Sequence, residues 1–307
     1  MNAKPALHTH THLHEAARQT TTRLKWSLLI TLAFVVIEAA AGYFANSLAL
    51  LTDAAHNLTD VIALGLSWFA IRMTTRPANA QKTYGYHRAG ILVALVNSTT
   101  LILISIGIFY EAYRRFLSPP EVQSNILIVV GLIAVGINLF TAWLVHRGSE
   151  SDLNLRSAFV HLMGDVVSTL GAVVAGVIIY FTGADWLDPL VSVLIGVLIL
   201  YNAWGILRDA VDILLESTPR DVDMKKMVKE IGQVDGVLGV HDLHVWSITQ
   251  SLRTMSAHIL TEDIPVSAGA EIQDRINKLV YDRYNIVHAT LQLECVNCES
   301  GSLYCRI

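Results

Sequence analysis

Two apolar stretches of the chain each place a histidine four residues before an aspartate: His56 and Asp60 in "HNLTD", His161 and Asp165 in "HLMGD". On a helix that spacing stacks both side chains on one face, so each segment offers an imidazole nitrogen and a carboxylate together. Ionisable groups inside a membrane span are expensive unless they pair, reach water or bind an ion. Pairing among themselves as polar glue between helices would leave two carboxylates poorly neutralised. Two imidazoles with two carboxylates do meet the tetrahedral four-ligand demand of zinc, and they tolerate cobalt or cadmium. Calcium wants six to eight oxygens and copper(I) wants sulfur, neither of which these spans provide. The expectation is one divalent-metal site shared by two helices.

Other polar residues share these apolar segments. Asp53, three residues before His56, reads either as a fifth oxygen or as a guide toward the site. Glu38, Asn57, Asn97 and Asn138 read as hydrogen-bonding contacts between helices.

The elements that must position these groups follow from composition. Of 307 residues, 53% are hydrophobic and only 16% charged, and the mean hydropathy is +0.46. That is the profile of a polytopic membrane protein with a modest soluble part. A net charge of -4 argues against a nucleic-acid partner. Runs of about 20 apolar residues predict six spans, at 25–44, 48–71, 90–110, 125–146, 157–181 and 187–208. The first is long enough to span and lacks a small-residue cleavage site, so it is expected to stay as a helix rather than leave as a signal peptide. Lysine and arginine gather before the first span (Arg18, Arg23, Lys25), between the second and third (Arg72, Arg76, Lys82, Arg88) and between the fourth and fifth (Arg147, Arg156). The positive-inside rule then puts both termini in the cytoplasm, with Arg114 and Arg115 as the only dissent. Of these basic groups, Arg72, Arg76, Lys82 and Arg88 would face anionic lipid.

Four regions are predicted: a histidine-containing tail at 1–22, a membrane domain at 23–212, a cytoplasmic domain at 213–294 and a cysteine-containing tail at 295–307. Pro219 stops the last span. Beyond it the pattern is helical in "DMKKMVKEIGQV", strand-like in "VLGVHDLHVWSI" and "RTMSAHIL", helical in "SAGAEIQDRINKLVYDRY" and strand-like in "HATLQLE". The fold class is therefore an α-helical membrane protein carrying a small α+β domain, ferredoxin-like or metallochaperone-like, with one open sheet face. A core that thin favours pairing with a second copy.

The chain resembles the cation diffusion facilitator family, most closely its bacterial inner-membrane zinc exporters. The likeness runs through "NSLALLTDAAHNLTD", "YGYHRAGILVALVN", "RSAFVHLMGDVVSTLGAVVAG", "DPLVSVLIG" and "LLESTP", in that order along nearly the whole chain. Gly90 departs from it, standing where many members place an acidic residue after "YxR". The resemblance implies six helices, a cytoplasmic α/β domain, a homodimer in the inner membrane, and a transported-metal site that falls on His56, Asp60, His161 and Asp165. Metal binding needs neutral imidazoles and ionised carboxylates, so such a site exchanges its cation for protons. An unperturbed histidine pKa of about 6.5 makes that exchange responsive near neutrality.

In the cytoplasmic domain, His241 and His258 are placed to meet across the strands and to join Glu294 or Cys298 in a structural or regulatory zinc site, which similar histidine positions in the family support; solvated surface histidines are the alternative. Cys295 and Cys298 form a single CxxC, a weak zinc signal, and a reducing cytoplasm disfavours disulfides among these and Cys305. His8, His10, His12 and His14 read as a mobile chelator or as a disordered tail without function. His87 reads as an interfacial structural residue. Two other function classes compete: a membrane-anchored metal sensor, which could dispense with His56 and Asp60, and an intramembrane metal-dependent hydrolase. The hydrolase would need an open metal position beside a general base, and no HExxH helix is present.

Overall fold

The computed structural model describes residues 31–146 and 153–295. An apolar helix α1 (Thr31–Phe44) comes first, and residues 25–30 of its expected span lie outside the described part. Five helices long and apolar enough to cross a membrane follow: α2 (Leu48–Thr74), α3 (Ala89–Leu117), α4 (Ser124–His146), α5 (Leu153–Thr182) and α6 (Leu187–Leu214). Several run past the expected ends, because a helix that leaves hydrocarbon can continue on polar residues such as Arg114 and Arg115 in the last turn of α3.

The described residues divide into two compact units, those up to residue 66 together with those in 97–204, and those in 67–96 together with those from 205 onward. In the first unit, α4 and α5 pack closely because small residues let the backbones approach. A Cβ on Gly131 would stand 2.6 Å from Val173 Cγ2, and one on Gly176 would stand 3.0 Å from Leu127 Cγ. Leu50, Leu127, Ala172 and Ile179 form the apolar cluster around that seam.

The α1–α2 corner is held by Asp188 at the start of α6. Its buried carboxylate accepts hydrogen bonds from Ser47 Oγ (2.6 Å), Leu48 N (2.6 Å) and Ala49 N (3.2 Å), capping the exposed amides of α2 from a distant element. Arg115 Nη1 lies 3.7 Å from Asp188 Oδ2 and donates to the Asn46 carbonyl at 2.5 Å, while its Nε donates to Glu111 at 3.2 Å. Arg115, which dissents from the charge rule, is thus engaged inside the fold rather than free to report orientation.

In the second unit, Asp223 caps α7 (Met224–Ile231) by accepting from the amides of Lys225 and Lys226. Strands β1 (Gly239–Ser247) and β2 (Arg253–Thr261) pair antiparallel, α8 (Val266–Tyr284) follows, and β3 (Ile286–Cys295) joins β2 in parallel. The order of elements is the expected one. Met227, Ile231, Leu243, Val245, Met255, Ile259, Ile276 and Val280 form the core between the helices and one sheet face. The α2–α3 connection belongs to the same unit: Tyr84 meets the His288 ring edge-on at 6.3 Å, and Arg88 Nη2 pairs with Glu216 at 3.0 Å.

Candidate metal centre

His56, Asp60, His161 and Asp165 converge, with one ligand atom from each lying within 4.8 Å of all the others. Each imidazole faces one carboxylate of its own helix and one of the other. His56 Nε2 lies 3.5 Å from Asp60 Oδ2 and 3.4 Å from Asp165 Oδ1, and His161 Nε2 lies 3.0 Å from Asp60 Oδ2 and 3.7 Å from Asp165 Oδ2. The rings stand edge to face, 5.6 Å apart. Zinc–ligand bonds of about 2.0–2.1 Å at tetrahedral angles place neighbouring ligand atoms roughly 3.3 Å apart. The four distances straddle that value, with His56 and His161 meeting opposite oxygens of Asp165, so side-chain rotation within the cluster closes the four groups on a small tetrahedral cation.

Local sequence explains the presentation. Thr59 Oγ1 bonds back to the carbonyls of Ala55 and His56, and on α5 Ser168 and Thr169 bond back to Gly164 and Asp165. Such back-bonds turn the hydroxyls into their own helix and bend it slightly, beside each ligand pair. The site is graded in access: the Asp165 side chain is 8% exposed and that of His161 44%. His56 Nδ1 is buried without a hydrogen-bond partner, leaving that ring held by packing and by its carboxylate contacts.

Asp53 does not join this cluster. Its Oδ2 accepts from Thr169 Oγ1 at 3.1 Å, and it faces Glu38 of α1 within hydrogen-bonding reach. Glu38 Oε2 accepts from Asn57 Nδ2 at 3.4 Å, the interhelical contact expected of those two residues, whereas the buried Asn138 Nδ2 has no hydrogen-bond partner.

A second group forms on the open face of the sheet. His241 and His258 are register partners, with rings 5.2 Å apart. Glu294 bridges them, Oε2 to His241 Nε2 at 3.0 Å and Oε1 to His258 Nδ1 at 2.8 Å. Asp242, absent from the sequence reading, reaches His258 Nε2 at 3.5 Å and His244 Nε2 at 3.2 Å. A β-bulge between His241 and His244, with Asp242 in the left-handed region at φ 49, creates this arrangement. Plain alternation would put His241 on the same face as the core residues Leu243 and Val245, and the bulge switches it to the face of His258. The only sequence signal for Asp242 was its place between two histidines. Cys298 and the tail histidines His8, His10, His12 and His14 lie outside the described residues.

Comparison with known proteins agrees along most of the chain. The family model for the cation efflux transmembrane domain matches residues 24–215, and that for the cation efflux protein cytoplasmic domain matches residues 219–296. A cadmium, cobalt and zinc/H(+)-K(+) antiporter of Bacillus velezensis is 35% identical, covering 93% of this chain and 91% of its own. The metal cation efflux system protein CzcD of Cupriavidus metallidurans is 36% identical, covering 95% and 92%. The zinc transporter ZitB of Escherichia coli is 34% identical, covering 95% and 93%. With both domain models matched in order, the chain belongs to the cation diffusion facilitator, or cation efflux, family.

Proposed function

We propose that the protein exports zinc from the bacterial cytoplasm in exchange for protons, with cadmium and cobalt as further substrates, and that His56, Asp60, His161 and Asp165 hold the ion in transit. The observation that carries this reading is the set of four ligand distances close to the edge of a zinc tetrahedron. The relatives named for zinc, cadmium, cobalt and proton antiport supply the substrate class. A closed set of four ligands leaves no coordination position for a reacting water, which favours carriage over hydrolysis.

Loading requires both imidazoles neutral and both carboxylates ionised, and protonation of His56 and His161 expels the ion. The cycle needs no covalent step. Helix rocking would open the site alternately to a neutral cytoplasm and to a more acidic opposite face. In this reading both termini are cytoplasmic, the protein is a homodimer in the inner membrane, and the domain limits are those expected from sequence. His241, His258 and Glu294 hold a regulatory or structural zinc, with Cys298 as a further candidate ligand; this group gives sensing a place beside transport. Zinc flux into proteoliposomes is the test. Replacing His56 or Asp165 with Ala is expected to abolish flux while the protein still folds, and undiminished flux in either variant sinks the assignment.

A further inference from the structure

Glu38 and Asp53 are fully enclosed, at 0% and 1% exposure, and lie on neighbouring helices with their carboxyls within hydrogen-bonding reach. Of the four oxygens, Glu38 Oε2 has a donor of its own in Asn57 Nδ2, and Asp53 Oδ2 shares the single Thr169 hydroxyl proton with the Asp165 carbonyl. The other two, Glu38 Oε1 and Asp53 Oδ1, have no hydrogen-bond partner. Among the described residues no lysine or arginine acts on either carboxyl; the charged groups that do are each other, with His56 from α2 and Asp165 from α5 on Asp53. Two ionised carboxylates cannot face one another in a medium without water or a counter-charge. Two carboxyl groups within hydrogen-bonding reach are reconciled by one shared proton, with one group donating and the other accepting.

We infer that Glu38 and Asp53 form a proton-binding site, distinct from the four metal ligands, that holds one proton between two carboxyls and releases it when a divalent ion loads next door. Neither carboxyl makes an ion pair or hydrogen bond to His56, Asp60, His161 or Asp165 among the described contacts. Thr169 stands between, facing Asp53 Oδ2 and donating to the Asp165 carbonyl at 2.8 Å. The link to the metal is therefore through the field: a divalent charge at the neighbouring site favours the ionised pair and expels the proton. This step rests on the metal-site reading above. Its consequence is that part of the proton exchange lies outside the metal ligands, and so outlasts changes in ligand type.

The test uses the full chain in detergent at low buffer strength, with zinc chloride added and released protons counted by a pH dye. Glu38→Gln and Asp53→Asn are each expected to release about one proton fewer per zinc bound, with zinc affinity held within about threefold. The wild type without zinc should show the infrared carbonyl band of a buried protonated carboxyl, bleached by zinc and missing from the E38Q/D53N double variant. A wild-type proton count in both single variants, or no such band in the wild type, overturns the inference. A band bleached by potassium without zinc also overturns it, in favour of a monovalent metal ion. Should the variants lose zinc binding altogether, the wild-type infrared result decides. Failure of the metal-site reading would look different: His56→Ala would bind zinc as the wild type does.

Discussion

At the scale of single residues, helical spacing alone paired His56 with Asp60 and His161 with Asp165, because one turn of helix fixes which side chains share a face. The pairing between the two helices was a tertiary result, and it is reciprocal, each imidazole lying between two carboxylates. Outside the membrane, Glu230 shows how a local network sets a titration. Tyr284 donates to its carboxylate at 2.8 Å and Arg283 at 2.5 Å, and these contacts hold Glu230 below the ordinary carboxylate range. Burial and the same contact push the Tyr284 phenol up to about 12. For Glu230, whose folded pKa is depressed, the stabilisation is present above the unfolded value of about 4.3 and is lost as pH falls through the folded value. For Tyr284, whose folded pKa is raised, it is complete below about 10 and is lost as pH rises through 12. Tyr284→Phe is therefore expected to lower the melting temperature of the α+β domain by a similar amount between pH 5 and 9. The difference from wild type should shrink below pH 4, and thermal scans across that range check it.

At the scale of elements, the five membrane-length helices among the described residues were legible because a bilayer demands about 20 consecutive apolar residues. The contacts that fix one helix against another were less so, since lipid and protein interior are equally apolar and the seam is chosen by shape. Gly131 illustrates this. An added methyl there would meet Val173 Cγ2 at 2.6 Å, so Gly131→Ala is expected to destabilise the bundle by about 1–3 kcal/mol. Val173→Ala in the same chain should recover most of that loss, a coupling that a double-mutant cycle on melting in detergent would measure. Asp188 is a second case. In the sequence it was part of the "DPLVSVLIG" motif with no role of its own, yet it caps α2 across 140 residues. Removing it leaves two amides and Ser47 without their acceptor and Arg115 without its buried partner. Asp188→Ala should cost about 2–4 kcal/mol, whereas Asp188→Asn keeps one acceptor oxygen and should lose less. A wild-type melting temperature in the alanine variant would rule this cap out as a stabilising contact.

At the scale of the whole molecule, a membrane unit and an α+β unit each bring histidine and carboxylate together, one inside the spans and one on an open sheet face. The two groups differ in what a bound ion would do. Occupation of the sheet-face group ties β1, β2 and β3 together, so zinc should stabilise that domain by about 2.7 kcal/mol at a hundredfold excess over its dissociation constant. His258 faces carboxylates with both ring nitrogens, so His258→Ala should abolish the zinc-dependent rise in melting temperature while leaving the metal-free value nearly unchanged. A full zinc-induced rise in that variant would show that the ion binds elsewhere.

Sequence by itself determined what short-range rules control: the apolar spans, the two HxxxD faces, and the helix–strand–strand–helix–strand order after Pro219. Those features depend on neighbours within a few residues, or on runs of apolar residues matched to a bilayer. Tertiary structure decided what depends on distant partners. It joined Asp60 to His161 across 101 residues, set Glu38 against Asp53, and put Asp188 at the foot of α2. It also turned His241 to the face of His258 and Glu294 through one bulged residue, against the alternation that strand periodicity predicts. A single left-handed backbone angle at Asp242 outweighs a two-residue repeat, because the repeat describes a regular pleat and the bulge breaks it.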